Sequence, residues 1–187
     1  MEAGGGARIE PGTRRQIGAV NAAIVWVLGR GTGGRPPNVF TTLARHRGLF
    51  RRWLWFAGGL MPGGRLPRVE TELVILRVAH NAGCDYEWGH HARLGRRAGL
   101  SAAEVELVRS GPEAEGWGAR RSLLLRAADE MHADGRIGDG LWAKLAAELD
   151  EVRLIELCLL IGHYEMLAMT LASLRVQPDP PRGRPDR

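Results

Sequence analysis

An all-α fold is what this sequence predicts, and three observations carry the prediction. Apolar residues recur at three- and four-residue spacing in segment after segment. Glycines, prolines and Ser/Asp cap residues fall between those segments, where helices start and stop. No stretch of useful length alternates apolar and polar residues as a half-buried strand would. At 187 residues the chain can bury a real core, and 44% hydrophobic with 25% charged residues is the balance of a soluble globular protein.

The first 13 residues are Gly-rich and polar and are expected to be flexible. From Arg14 to Leu28, residues Ile17, Val20, Ala23, Ile24, Val27 and Leu28 keep helical spacing. The loop GRGTGGRPP follows, and Pro37 opens a short helix through Val39, Phe40, Leu43 and Ala44. A further run from Leu49 to Leu60 carries Trp53, Trp55 and Phe56 and breaks at MPGGRLP. The spacing of Val69, Leu73, Leu76 and Ala79 predicts an amphipathic helix over 68–81, with Glu70 and Glu72 at its dipole-favoured start and Gly83 as its left-handed stop. Asp85 is the expected cap of a helix to Ala98, closed by Gly99.

Ser101 and Glu104 spell a capping box for a short helix through Val108, ended by Gly111-Pro112. Helices over 119–133, 140–149 (capped by Asp139) and 151–174 (capped by Asp150) complete the set. The tail from 177 to 187 is Pro-rich and expected to be disordered. The domain reading is therefore a flexible 1–13, a single helical domain over 14–176 with its motif core at 66–150, and the tail. Short turns make the helices antiparallel hairpins.

The net charge of +5 does not point to nucleic acid. Lys144 is the only lysine, and the arginines are scattered over helices and tails instead of forming one stripe. Cys84 and Cys158 form no CxxC pair and suit a reducing cytoplasm. The start has no basic region followed by an apolar run, so no signal peptide is expected. The most apolar segment, Leu154 to Leu174, is interrupted by Glu156, His163 and Glu165 and reads as a buried helix, not a membrane span.

Chemistry concentrates after the stop at Asn81-Ala82-Gly83. Cys84, Glu87 and His91 stand at i, i+3 and i+7, so a thiol, a carboxylate and an imidazole share one helix stripe. Such a set is suited to proton transfer. Taken alone, Glu87 and His91 could be a solvated surface pair worth a few tenths of a kcal/mol, and Cys84 a small buried hydrophobe. Glu87 and His90 spell an ExxH, but a di-iron site wants a second ExxH and two more glutamates, which Asp129-Glu130-Met131-His132 only imitates; no metal is expected. GRGTGGRPP lacks the GK[ST] ending of a phosphate loop.

The order Glu72, eleven residues, Cys84, two residues, Glu87, three residues, His91 resembles the carboxymuconolactone decarboxylase and alkylhydroperoxidase D-like superfamily, whose peroxidases carry Glu, CxxC and His at this spacing. The phrases PNVFTTLARH, RLPRVETELVILRVAH, RAGLSAAEVELV, LLLRAADEMH and LIELCLLIGHYEMLAM extend the resemblance over about residues 37–178. It implies an alkylhydroperoxidase D-like helical bundle that forms homo-oligomers, trimers or hexamers with a dimer left open, with sites near subunit contacts. It also implies that Cys84 stands at the resolving position and Glu87 at the attacking one. A carboxylate cannot cycle through sulfenate and disulfide, which argues against thiol peroxidase chemistry.

What remains is acid–base work. The resemblance implies a decarboxylase that needs no metal or organic cofactor: the substrate's conjugated carbonyl takes up the electrons as CO2 leaves, and a positioned acid reprotonates the carbon. His91 would be that acid, Glu87 its partner, Glu72 the orienting carboxylate and Cys84 a wall or weak relay group. Arg77, on the helix of Glu72, is the expected clamp for a substrate carboxylate. Tyr86 and Trp88 are expected to line the pocket, and His163, on one face with Glu156, either lines it or is a core histidine. An isomerase, lactone hydrolase or dehydratase would use the same groups. The alternatives are a thiol-dependent antioxidant using Cys84 with an external thiol, and an oligomeric binding protein without catalysis.

Overall fold

The computed structural model describes residues 5–31 and 35–179. Among them every regular element is helical: α1 (Arg14–Gly31), α2 (Asn38–Leu43), α3 (Arg47–Leu60), α4 (Arg68–Asn81), α5 (Asp85–Ala98), α6 (Ala102–Ser110), α7 (Ala119–Asp134), α8 (Asp139–Glu148) and α9 (Glu151–Leu174). Contacts group the described residues into two compact units, one up to Phe56 together with those from Leu171 onward, the other Ala57–Thr170. The single-domain reading of 14–176 thus meets a chain whose contacts fall in two groups, and the motif core at 66–150 lies wholly in the second.

In the first unit, Ile17, Val25, Ala44 and Phe50 form the core, with Phe40 and Trp53 packed against it. The helix expected to run unbroken from Arg14 is interrupted at Gly18, whose φ of 81° and ψ of 160° are not helical. Only glycine adopts that backbone without strain. Arg47 donates from Nε to Gln16 O (3.0 Å) and from Nη2 to Arg15 O (2.8 Å), satisfying carbonyls at the break. Within the segment expected to be flexible, the Arg8 and Gly12 amides donate to Leu174 O (3.0 Å) and Thr41 O (3.1 Å). The Asn38 amide donates to Asp179 Oδ1 at 2.7 Å. Residues 1–4 of the expected flexible start, 32–34 of the Gly-rich loop and 180–187 of the tail lie outside the described residues.

The second unit is built around α4, which packs on α5, α6 and α7. The sequence predicts one apolar face there, but every α4 residue from Glu70 to Ala79 except Arg77 is buried. A helix enclosed on all sides must pair its charges, and each of these is paired. Glu70 accepts from Arg120 Nε (2.7 Å) and Nη2 (3.0 Å), Arg77 meets Asp129, and Glu72 meets His91. Leu73, Leu76, Leu100, Val105, Val108 and Leu125 make the adjoining apolar cluster.

Turn chemistry then places α5. Gly83 (φ 62°) follows α4, its amide donating to His80 O (3.1 Å) and that of Cys84 to Ala79 O (2.8 Å). This pair of bonds is a Schellman motif, which ends α4 and reverses the chain within two residues. Cys84, not Asp85, is the cap position, and α5 begins at Asp85 itself. The Ser101–Glu104 capping box forms as expected, and α8 starts at Asp139 with Gly138 as its cap. By length and composition α9 could cross a membrane, but 56% of its most apolar window is buried inside the protein, as befits a core helix.

Candidate active site

Glu72 is wholly buried and His91 is 6% exposed, and the two meet across the α4–α5 hairpin: Nδ1 of His91 lies 2.7 Å from Oε2 of Glu72. A carboxylate can only accept, so Nδ1 carries the hydrogen and Nε2 is left as the working nitrogen of the ring. Gly95, one turn beyond His91, is buried where α5 packs on α4. A Cβ there would stand 3.5 Å from Glu72 Cβ, in ordinary van der Waals contact, and 2.9 Å from Leu100 Cδ1, so that the Leu100 side chain would have to shift. The second oxygen of Glu72 is 2.5 Å from Nη2 of Arg68, an ion pair between i and i+4 whose guanidinium reaches toward solvent. Glu72 thus bridges a guanidinium and an imidazole.

Glu87, one turn before His91 on the same stripe, is 3% exposed, and neither of its oxygens has a hydrogen-bond partner of good geometry among the described residues. Burial is the main reason its carboxyl is pushed up to about 8, with the charge of Glu165 adding to it and the neighbouring Cys84 thiol opposing it. At neutral pH Glu87 is therefore mostly a neutral acid with a proton to give. Cys84 is partly exposed and unpaired. Burial, then the Glu87 charge, pushes its thiol up to about 12, so it holds its proton too.

The third wall comes from α9. The ring of Tyr164 meets His91 edge-on, with centroids 5.0 Å apart and planes at 89°. Its hydroxyl points to Met61 Sδ at 3.7 Å. Burial and the charges of Glu72 and Glu87 raise the Tyr164 pKa, which keeps the phenol neutral. His163 sits beside it, ring centroids 5.2 Å apart, and burial pushes it down to about 4, so it is a neutral, buried histidine at physiological pH. Next in sequence, Glu165 accepts from or pairs with His132 Nδ1 at 2.8 Å.

Several sequence expectations need correcting. Arg77 is no free clamp: it donates to both oxygens of Asp129 (2.5 and 2.9 Å) and to Val108 O (2.8 Å), tying α4 to α7 and α6. Trp88 packs into the apolar cluster of α4, α5 and α6 with Arg109 stacked 3.7 Å over its ring, so it serves packing and not a pocket wall. Tyr86 stacks on His90 (4.9 Å), on the stripe next to that of Glu87 and His91. Glu156, expected to share a face with His163, accepts from the amides of Arg65 (2.5 Å) and Leu66 (3.0 Å) and holds the α3–α4 loop. Arg68, Tyr164 and Met61 join the site beyond the residues the sequence predicts. The i, i+4 spacing of Arg68 and Glu72 could have found the first; Tyr164 and Met61 arrive only through folding.

Residues 47–130 match the carboxymuconolactone decarboxylase family. This segment, which is similar to that family, holds the whole Glu72–His91 constellation, and the solved structures the chain resembles are alkylhydroperoxidase D-like in fold. A peroxidase-related protein from Ralstonia eutropha JMP134, described as an alkylhydroperoxidase AhpD core, superposes with a TM-score of 0.83 at 16% identity, covering 95% of this chain and 94% of that one. One from Silicibacter sp. TM1040 gives 0.80 at 16% identity, covering 96% and 95%. The debrominase Bmp8 gives 0.78 at 15% identity, covering 91% of each chain, and a cysteine-to-alanine variant of it has been seen in complex with 2,3,4-tribromopyrrole. At such identities the likeness establishes the fold alone. No curated protein matches this sequence.

Proposed function

We propose that this protein is an acid–base enzyme working without a cofactor on a small acidic or lactone-type metabolite, catalysing a decarboxylation or a related lyase or isomerase step. The observation that carries the proposal is the pairing of a held imidazole with an uncommitted buried acid. His91 is fixed by Glu72 at 2.7 Å, and Glu87 on the same stripe keeps its proton near neutral pH. Catalytic acids are most effective with a pKa near the working pH. In a decarboxylation, the C–C bond to the carboxylate breaks, its electron pair moves into the substrate's conjugated carbonyl, and CO2 leaves. Glu87, or a doubly protonated His91 through its Nε2–H, then returns a proton to carbon, while Glu72 holds the ring at Nδ1. The complex of the debrominase with a bromopyrrole supports a site scaled to a small planar ring. Two unpaired cysteines fit a reducing compartment such as the cytoplasm.

A thiol-dependent antioxidant role is the competing reading. It needs a thiolate at Cys84, which burial and the Glu87 charge both oppose. Purified protein assayed with 4-carboxymuconolactone by loss of ultraviolet absorbance, and with cumene hydroperoxide plus dithiothreitol, separates the readings. The acid–base reading expects His91→Ala and Glu87→Ala to abolish turnover of the lactone and Cys84→Ser to keep most of it. Peroxide turnover abolished by Cys84→Ser would favour the thiol route instead. Ligand-induced thermal stabilisation without product, indifferent to His91→Ala, would leave a binding protein.

A further inference from the structure

The net charge of +5 conceals a lopsided chain. Arginines are spread along it, but carboxylates are not: between Glu10 and Glu70 stand ten arginines and not one aspartate or glutamate. The two units also use their arginines differently. In the second, seven arginines each hold a carboxylate, Arg77 on Asp129 and Arg120 on Glu70 among them. In the first, Arg14, Arg15 and Arg30 of α1 and Arg47, Arg51 and Arg52 of α3 are all exposed, and none meets a carboxylate among the described residues. Arg47 and Arg51 reach only neutral acceptors, Arg15 O, Gln16 O and Asn21 Oδ1. Like charges left unneutralised within one unit build a field that attracts an anionic partner.

The apolar half of the surface comes from α1. From Ala19 to Gly29 its only polar side chain is Asn21, which is buried and donates to Ala44 O and Arg47 O at 3.3 Å each. A helix apolar on every face is ordinarily enclosed, yet Val20, Trp26 and Val27 are 63%, 55% and 59% exposed. With Ala23 they form an uncharged outer face, bounded along the helix by Arg14 and Arg15 before it and Arg30 after it. The Arg30 guanidinium lies 4.4 Å over the Trp26 ring. In α3 the combination recurs with Leu49 and Trp55, the latter 87% exposed.

We propose that the first unit docks on an anionic lipid surface, with the outer face of α1 lying in the plane of the headgroups. Val20, Ala23 and Val27 enter the acyl boundary and Trp26 sits at headgroup level. Arg30, stacked on the indole, keeps its charge among the lipid phosphates. The exposed arginines supply the attraction that so short an apolar face needs, because a small apolar anchor alone holds only marginally. Nucleic acid would use the arginines but gain little from exposed valines, since its contacts are polar or aromatic. A second copy would use the apolar face but would bring two sets of unneutralised arginines together. An anionic bilayer uses both. The inference concerns the first unit and is independent of the reaction proposed for Glu72, Glu87 and His91.

Flotation of the purified full chain with mixed phosphatidylglycerol and phosphatidylcholine vesicles tests it, beside pure phosphatidylcholine vesicles and a short single-stranded oligonucleotide. Circular dichroism confirms the fold of each variant. Wild type is expected to float with the mixed vesicles only, and to be released as salt rises. The triple variant Arg14→Gln, Arg15→Gln, Arg52→Gln is expected to bind on the order of 100-fold more weakly. The double variant Trp26→Ser, Val27→Ser is expected to bind at least ~10-fold more weakly. No binding to the mixed vesicles overturns the proposal, and so does equal binding to pure phosphatidylcholine. Undiminished binding by the double variant also overturns it, because the face of α1 would then not insert. Tighter binding to the oligonucleotide than to the mixed vesicles overturns it in favour of nucleic acid.

Discussion

Cys84 and Glu87 are neighbours on one stripe, and their protons decide which chemistry the site can run. With the thiol pushed up to about 12, its thiolate fraction near pH 8 is far below that of an ordinary cysteine. Alkylation of Cys84 by iodoacetamide at pH 8, followed by peptide mass spectrometry, is expected to be at least ~100-fold slower than that of a free thiol peptide. Labelling at the free-thiol rate would show that the thiol is activated and would reopen the peroxidase route. Glu72 poses the opposite case, a buried carboxylate with partners on both oxygens. Its ion pairs with Arg68 and His91 join a partly exposed cation to a buried ring.

At the scale of elements, two local devices aim the site. The Schellman turn at Gly83 sets the α4–α5 hairpin, across which His91 reaches Glu72. The α3–α4 loop is set from the other side by Glu156 of α9, which accepts from the amides of Arg65 and Leu66. Gly64 belongs to the same device, because a Cβ there would come within 2.3 Å of Glu156 Oε1 and 2.6 Å of Leu60 O. Removing the acceptor strands two backbone N–H groups. Glu156→Ala is expected to cost about 2–3 kcal/mol in urea denaturation, and to disturb Met61, which the Tyr164 hydroxyl touches. A loss under about 0.5 kcal/mol would mean that water replaces the carboxylate there.

For the whole molecule, two buried groups give stability opposite dependences on pH. The folded protein keeps a proton on Glu87 that the unfolded chain releases above about 4.5, so Glu87 lowers stability as pH rises toward about 8. His163 acts in reverse. Its pKa of about 4 in the folded state lies below the ordinary 6.5, so the unfolded chain takes up the proton first and stability falls as pH drops from 6.5 toward 4. Between 4.5 and 6.5 the two slopes offset each other. Glu87→Gln removes one of them. The variant is expected to gain stability over wild type on the order of a few kcal/mol at pH 8.5, and to show a steeper loss on acidification, as read by thermal melts from pH 4 to 9. An unchanged alkaline side would mean that Glu87 is ionised in the folded state.

Helix positions were legible in the residues because periodicity, caps and glycine stops are local. Asn81-Ala82-Gly83 and the Ser101–Glu104 box mark their boundaries without help from the rest of the chain, and the Glu72, Cys84, Glu87 and His91 spacing follows from the helical repeat. The break at Gly18 is not legible in the sequence, because a glycine inside an apolar pattern looks the same whether or not the helix continues. Roles that depend on what lies opposite a side chain could not be read in advance. Arg77 and Trp88 sit at plausible helical positions, yet Asp129 from α7 and Arg109 from α6 take them, while α9 brings Tyr164 to His91. Local sequence determined which groups share a stripe of one helix. Only the packing of α4, α5, α7 and α9 decided which of them keep their protons, since desolvation and ion pairing are properties of the assembled interior.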